Sequence, residues 1–205
     1  IDRIGQEGIR LTNFNVEYSC IVSRIALMTG RYAVRSAGGL RGGMTLWEVT
    51  IPDALRTMGY ATALFGKWDV GGDDGTGPRD PLHQGFDEWW GIPNSWDEAG
   101  YSSYPLFNDI VKKILAEKKV PELLDLPPHI LEGKKGQPSR PVMDLDMKVR
   151  PIVDGDYLIP KTVDYIKRQA AAKKPFFVYL GYWEMHPRVA CNPEFVDKSP
   201  KRGGL

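Results

Sequence analysis

Cysteine is nearly absent from this 205-residue chain: only Cys20 and Cys191 occur. Two thiols cannot form a disulfide framework, although in an oxidising compartment they could pair with each other. Charge of one sign is lacking as well, because 27 basic and 26 acidic residues leave a net charge of +1. That balance provides no electrostatic footprint for nucleic acid or for an anionic membrane surface. No uninterrupted apolar run approaches the ~20 residues that a membrane span needs. Internal repeats and low-complexity tracts are missing too. The chain opens on Ile1-Asp2-Arg3, with neither an initiating methionine nor a signal peptide. The expectation is therefore an internal piece of a longer protein. An apolar content of 42% is enough for one substantial core.

What is present centres on Ser19 to Arg31. Ile21, Ile25 and Met28 recur at i, i+4 and i+7, which is one face of a short helix. Gly30 supplies its stop, since a residue without Cβ enters the left-handed conformation at little cost. Cys20 then lies at the helix start, where backbone N–H groups lack intrahelical partners and the dipole is positive. An oxyanion is well received there. Arg24 is one turn further on the same face, and helical side chains lean toward the N-terminus, so its guanidinium can reach back over Cys20. The bland alternative is that Cys20 is a small buried hydrophobe, the usual fate of a free cysteine.

Along the chain, Asp2 to Gly8 reads as the last turns of a helix. Ile9, Leu11 and Asn13 alternate with Arg10, Thr12 and Phe14, the pattern of a short strand. Thr50 and Asp53 form a capping pair, Pro52 suits a first turn, and Ala54, Leu55 and Met58 carry a helix to Gly59. Tyr60 to Phe65 is a strand-length apolar run, with Lys67 at its carboxyl end. Asp73-Asp74 among glycines reads as a solvated turn rather than a metal site. The aromatic stretch Gln84 to Pro93 reads as packing. Tyr101 to Gly155 is irregular apart from a helix near residues 108–119, because Pro127-Pro128, Pro141 and Pro151 discourage regular structure; a long irregular excursion of this kind is a binding loop or a plain insertion. From Pro160 a helix returns, with Val163, Ile166 and Ala170 as its buried stripe. Phe176 to Leu180 then reads as a strand covered on both faces, and His186 follows near its carboxyl end. A lone histidine there is structural or functional, and periodicity does not separate the two. Helix–strand alternation of this kind is the pattern of an α/β fold with a largely parallel sheet, in which ligands gather at the carboxyl ends of strands.

Ser-Cys-Ile-Val-Ser-Arg followed by Ala-Leu-Met-Thr-Gly-Arg-Tyr resembles the signature of the type I sulfatases. Further ordered matches reinforce it. They are Ile1-Asp2-Arg3-Ile4 with Gly8 to Phe14, Gly59-Tyr60-Ala61-Thr62 with Phe65-Gly66-Lys67-Trp68, Gln84-Gly85-Phe86-Asp87, and Lys174-Pro175-Phe176-Phe177 leading to His186-Pro187. The resemblance implies an alkaline-phosphatase-like α/β/α sandwich, incomplete at both ends, with residues 1–205 forming part of the catalytic domain and 101–155 an irregular insertion. It implies sulfuric ester hydrolysis by a formylglycine made from Cys20. In that scheme Arg24 holds the hydrate, Lys67 binds a sulfate oxygen, and His186 contacts the ester oxygen and protonates the leaving group.

Two positions depart from the family pattern. Val22 stands where the family has a proline that belongs to the sequence read by the formylglycine-generating enzyme. Asp69 stands where the family has the histidine that removes a proton as the sulfated hydrate collapses. A carboxylate there is a weak base, with an ordinary pKa of ~3.9, and it repels sulfate. The family also implies one divalent ion, usually Ca2+, with Cys20 a ligand only once converted. The remaining ligands are an Asp-Asp pair expected before Ile1 and an Asp-Asn pair expected after Leu205, and a second pocket lysine is expected beyond Leu205 as well. On this basis the chain by itself is expected to be inactive or nearly so. The implied partners are a small-molecule or glycan sulfate ester and the formylglycine-generating enzyme; the implied compartment is periplasmic, secreted or lysosomal. Two alternatives stand beside it: a non-catalytic sulfatase-derived binding module, and a related phosphoester or phosphonate hydrolase.

Overall fold

The computed structural model describes residues 2–36, 43–71, 77–93, 129–146, 148–183, 192–195 and 198. Among these residues five strands form one sheet in the order β4-β3-β2-β1-β5. They are β1 (Ala61–Lys67), β2 (Glu88–Ile92), β3 (His129–Lys134), β4 (Arg140–Asp144) and β5 (Phe176–Gly181). β2, β1 and β5 run parallel, while β3 and β4 extend the sheet as an antiparallel hairpin. The sheet is therefore mixed, with a parallel centre. Because successive side chains alternate between faces, Leu64 and Trp89 enter one core with Ile21, Val22, Ile25 and Met28 of helix α2 (Cys20–Thr29). Ala63, Phe65 and Trp90 enter the other core with Leu158 and with Tyr165 of helix α5 (Ile159–Ala171). Helices thus cover both faces of the sheet.

The local signals at both ends of the first half hold. Helix α1 spans Asp2–Glu7. α2 ends at Gly30 in the left-handed conformation (φ 67°), whose N–H donates to the Ala26 carbonyl. After the short helix α3 (Ala33–Ser36), helix α4 (Ile51–Thr57) opens on a complete capping box between Thr50 and Asp53, with Pro52 in its first turn. The Thr50 hydroxyl is buried. It accepts from the Asp53 N–H at 3.2 Å and donates to the Gln84 carbonyl at 2.8 Å, tying α4 to the turn before β2. Thr50→Ala is expected to cost about 1–2 kcal/mol. At about 2–4 °C per kcal/mol for a chain of this size, a thermal melt reads that loss directly.

Four expectations need correction. Ile9, Leu11 and Phe14 form no strand: no described segment pairs with them, and they are 66–88% exposed. The 101–155 stretch is not irregular throughout, because β3 and β4 lie inside it; Pro141 is tolerated because β4 is an edge strand among the described residues, the position where sheets accept proline. The proposed helix near 108–119 lies outside the described residues. α5 buries Thr162 and Tyr165 instead of Val163 and Ile166, which are 41% and 38% exposed. The π-helical turn Val153–Leu158 feeding α5 buries Leu158, and the buried face continues from it at four- and three-residue steps. Tyr165 then sits edge-on to Phe65 and Phe176. Finally, β5 is half-buried along most of its length, because among the described residues it pairs only with β1.

Candidate active site

Lys67 is the last residue of β1, and the chain stays pinned to β2 just beyond it: the Trp68 and Asp69 N–H groups donate to the Ile92 and Pro93 carbonyls, each at 3.0 Å. Asp69 has φ 55°, the left-handed region that Asp tolerates better than most residues. The chain therefore bends sharply at the strand's carboxyl end. Across the same level runs a row of glycines, with Gly66 paired to Gly91 of β2 and to Gly181 of β5. A Cβ at Gly66 would sit 2.0 Å from the Gly181 carbonyl oxygen, and one at Gly91 would sit 1.8 Å from the Gly66 carbonyl oxygen. Only glycine lets the three backbones come this close beside Lys67.

Helix α2 presents its N-terminus to solvent, with Cys20 exposed and its Sγ 3.9 Å from the Ser19 Oγ. Ser19 is extended (φ −145°, ψ 158°) and makes no side-chain cap, so the hydroxyl does not close the helix end. Arg24, one turn on, is half-buried. Its Nη1 donates to the Lys67 carbonyl at 2.7 Å and to the Tyr179 hydroxyl at 2.9 Å, with the guanidinium 5.8 Å above the Tyr179 ring. Arg24 thus ties the Cys20 helix to the end of β1 and to β5. Burial pushes the Tyr179 hydroxyl above the ordinary phenol range; Arg24 opposes that shift and the Asp69 charge adds to it. At neutral pH Tyr179 is a neutral phenol, free to accept from Arg24.

The Lys67 ammonium lies 3.3 Å from the Asp69 carboxylate, and both side chains are almost fully buried. Lys67 and Asp69 therefore meet, and Arg24 touches the backbone that carries Lys67. His186 and Cys191 fall outside the described residues, as do Asp73 and Asp74. Tyr179 escaped the sequence reasoning, although a single phenol inside the apolar run from Phe176 to Leu180 was the available signal. Among the described residues no three His, Cys, Asp or Glu side chains converge as a metal cage. The donor set of the described residues does not by itself fit a calcium ion. A cleft of about 780 Å3 lined by His83, Leu131, Lys135 and Ser139 contains none of these residues. No helix among the described residues is long and apolar enough to cross a membrane.

The sequence and the fold have counterparts among known proteins. Arylsulfatase G of Rattus norvegicus is 27% identical over 221 residues, covering 98% of this chain and 39% of that protein. N-acetylgalactosamine-6-sulfatase of Canis lupus familiaris is 26% identical over 223 residues, covering 98% of this chain and 37% of that protein. The crystal structure of PsFucS1 sulfatase from Pseudoalteromonas sp. superposes with a TM-score of 0.81 at 27% identity, covering 98% of this chain and 41% of that one. The fold is accordingly the alkaline-phosphatase-like α/β/α sandwich. The chain spans about two fifths of the length of the relatives it matches. With the sulfatase family model matching residues 1–204, this chain belongs to the sulfatase family.

Proposed function

We propose that this chain carries the nucleophile-bearing part of a sulfuric ester hydrolase acting on aryl or glycan sulfates. The observation that supports it best is the 2.7 Å bond from Arg24 to the Lys67 carbonyl, which joins the Cys20 helix to the cation-bearing strand end. In this reading a formylglycine made from Cys20 attacks sulfur through its hydrate oxygen. The S–O bond to the leaving alcohol breaks, and His186 supplies the proton that alcohol needs. Arg24 and Lys67 offset the negative charge that develops on the sulfate oxygens. The sulfated hydrate then expels sulfate and returns to the aldehyde, with Asp69 at the position of the base. Calcium belongs to the family scheme, and its ligands would have to come from outside the described residues. The compartment follows the family expectation of a periplasmic, secreted or lysosomal location.

Val22 bears on whether conversion occurs. It is the third residue of α2, and the first bond of the helix runs from the Ser23 N–H to the Ser19 carbonyl. A proline at position 22 therefore removes no intrahelical hydrogen bond. Co-expressed with a formylglycine-generating enzyme, Val22→Pro is expected to give substantially more aldehyde at Cys20 than the native chain does, read by intact mass of the Cys20 peptide. Only thiol or disulfide in both forms would remove the catalytic reading. On an aryl sulfate with added calcium, the isolated chain is expected to turn over no more than a trace.

The Lys67–Asp69 contact favours a second reading, a binding module without catalysis, because the lysine already has a counter-ion. Calorimetry with a sulfated phenol, beside the mass of the Cys20 peptide, separates the two. Binding that is lost in Lys67→Ala while Cys20 stays a thiol even in Val22→Pro supports the module.

A further inference from the structure

We propose that Tyr179 and Gly181 of β5 form a socket that positions Arg24, holding its guanidinium so that the Nε–Nη2 edge is the one offered to the anion. The inference rests on the reading of Arg24 as a group that meets the ester, and it adds the residues that aim it. Alternate residues of a strand share a face, so positions 179 and 181 lie on the same side of β5. Tyr179 supplies an acceptor, its hydroxyl receiving a hydrogen bond from Arg24 Nη1 at 2.9 Å. Gly181 supplies the room: a Cβ there would lie 3.2 Å from Arg24 Nη1 and 2.7 Å from the Lys67 carbonyl oxygen. That carbonyl, 2.7 Å from the same nitrogen, closes the socket from β1.

A terminal guanidinium nitrogen carries two hydrogens, and the two acceptors use both of those on Nη1. A planar group caught at one nitrogen by two different strands cannot turn freely, so its other N–H groups keep one direction. Nε and Nη2 lie side by side as a fork that matches two oxygens of one anion. Both acceptors are neutral, a carbonyl and a phenol, because burial holds the Tyr179 hydroxyl above the ordinary phenol range. The socket therefore immobilises the guanidinium without cancelling its charge, as a carboxylate partner would. Arg24 lies one turn past Cys20 on α2, where side chains lean toward the helix start. The Tyr179 ring is itself packed against the core that α2 enters, which keeps the socket in place.

The test combines calorimetry with side-chain NMR on the full chain, using Tyr179→Phe, Arg24→Lys and both changes together. Tyr179→Phe keeps the ring and removes only the acceptor. It is expected to bind para-nitrophenyl sulfate about tenfold more weakly than the native chain, the effect of losing one hydrogen bond to a charged group. Lysine keeps the charge but has no plane to aim. In the Arg24→Lys background the same Tyr179→Phe change is therefore expected to alter affinity less than about twofold. Nitrogen-15 spectra of the arginine side chains read the socket without a ligand. A held guanidinium gives separate Nη1 and Nη2 signals and a turning one gives a single average. Two signals are expected for Arg24 in the native chain and one in Tyr179→Phe, with Arg24→Lys identifying them by their loss. An averaged Arg24 signal in the native chain overturns the socket even if the sulfate binds. An equal loss of affinity in both backgrounds overturns it too, since Tyr179 would then act without Arg24. If the ester binds no form while the two Arg24 signals persist, the anion-site reading falls and the aiming role falls with it.

Discussion

Gly66→Ala is expected to move the urea midpoint far below that of the native chain, at a cost above about 4–5 kcal/mol. Gly66 has φ 103°, where an L side chain is strained in any surroundings. The new Cβ would also lie 2.0 Å from the Gly181 carbonyl oxygen and 2.8 Å from its carbon. Both neighbours are backbone of β5, held by the β1–β5 ladder from Ala61–Phe176 to Gly66–Gly181, so no side chain can swing aside. β1 cannot retreat toward β2 either, because Gly91 already lies against the Gly66 carbonyl. Relief requires parting two central strand pairs. A cost above about 4–5 kcal/mol follows, against a total stability of about 5–15 kcal/mol for a domain. Gly59→Ala separates the clash from the backbone strain. Gly59 also has a positive φ, at 84°, but an added Cβ there meets nothing within 4 Å, so the cost is only about 1–2 kcal/mol. Circular dichroism against urea reads both variants. A Gly66→Ala midpoint as close to native as that of Gly59→Ala would mean that the strands are not pinned as described.

The difference between what was legible and what was not has a physical basis. α2 was readable because its buried residues are aliphatic, fall on one helical face, and end at a glycine that the chain needs there. Thr50 and Asp53 were readable because a capping box is local chemistry three residues long. The face of α5 was hidden. Thr162 and Tyr165 bury more completely than Val163 and Ile166, since the turn before the helix and the rings of Phe65 and Phe176 decide its rotation. Prolines pointed away from β4, yet an edge strand accepts them. At the site, Cys20, Arg24 and Lys67 were legible as candidates, and two of their relations were not. Arg24 bonds a carbonyl on another element and a phenol on a third, and neither bond leaves a trace in spacing. Asp69 reaches Lys67 only because its backbone turns left-handed, which sequence does not announce for an aspartate.

Lys67→Ala carries the second large effect, and it separates stability from ligand binding. Removing the ammonium leaves the Asp69 carboxylate, 5% exposed, without the cation 3.3 Å away. Breaking a buried pair from one side costs about 3–5 kcal/mol, because the remaining charge loses this counter-charge without regaining its water. The same truncation removes the group that would hold a sulfate oxygen, so binding of para-nitrophenyl sulfate is expected to vanish. These two losses have different cures. In the double variant Lys67→Met, Asp69→Asn, the methionine fills the lysine's volume and the asparagine keeps the left-handed turn while neither member of the pair is charged. Replacing a buried ion pair with neutral groups is often neutral for stability or better. The urea midpoint is therefore expected to recover most of the way to native, while the sulfate stays unbound. If the double variant bound the sulfate as the native chain does, Lys67 would not be the anion's partner. If Lys67→Ala alone unfolded at the native midpoint, the pair would be hydrated and the pocket far more open than its 3% and 7% exposures indicate.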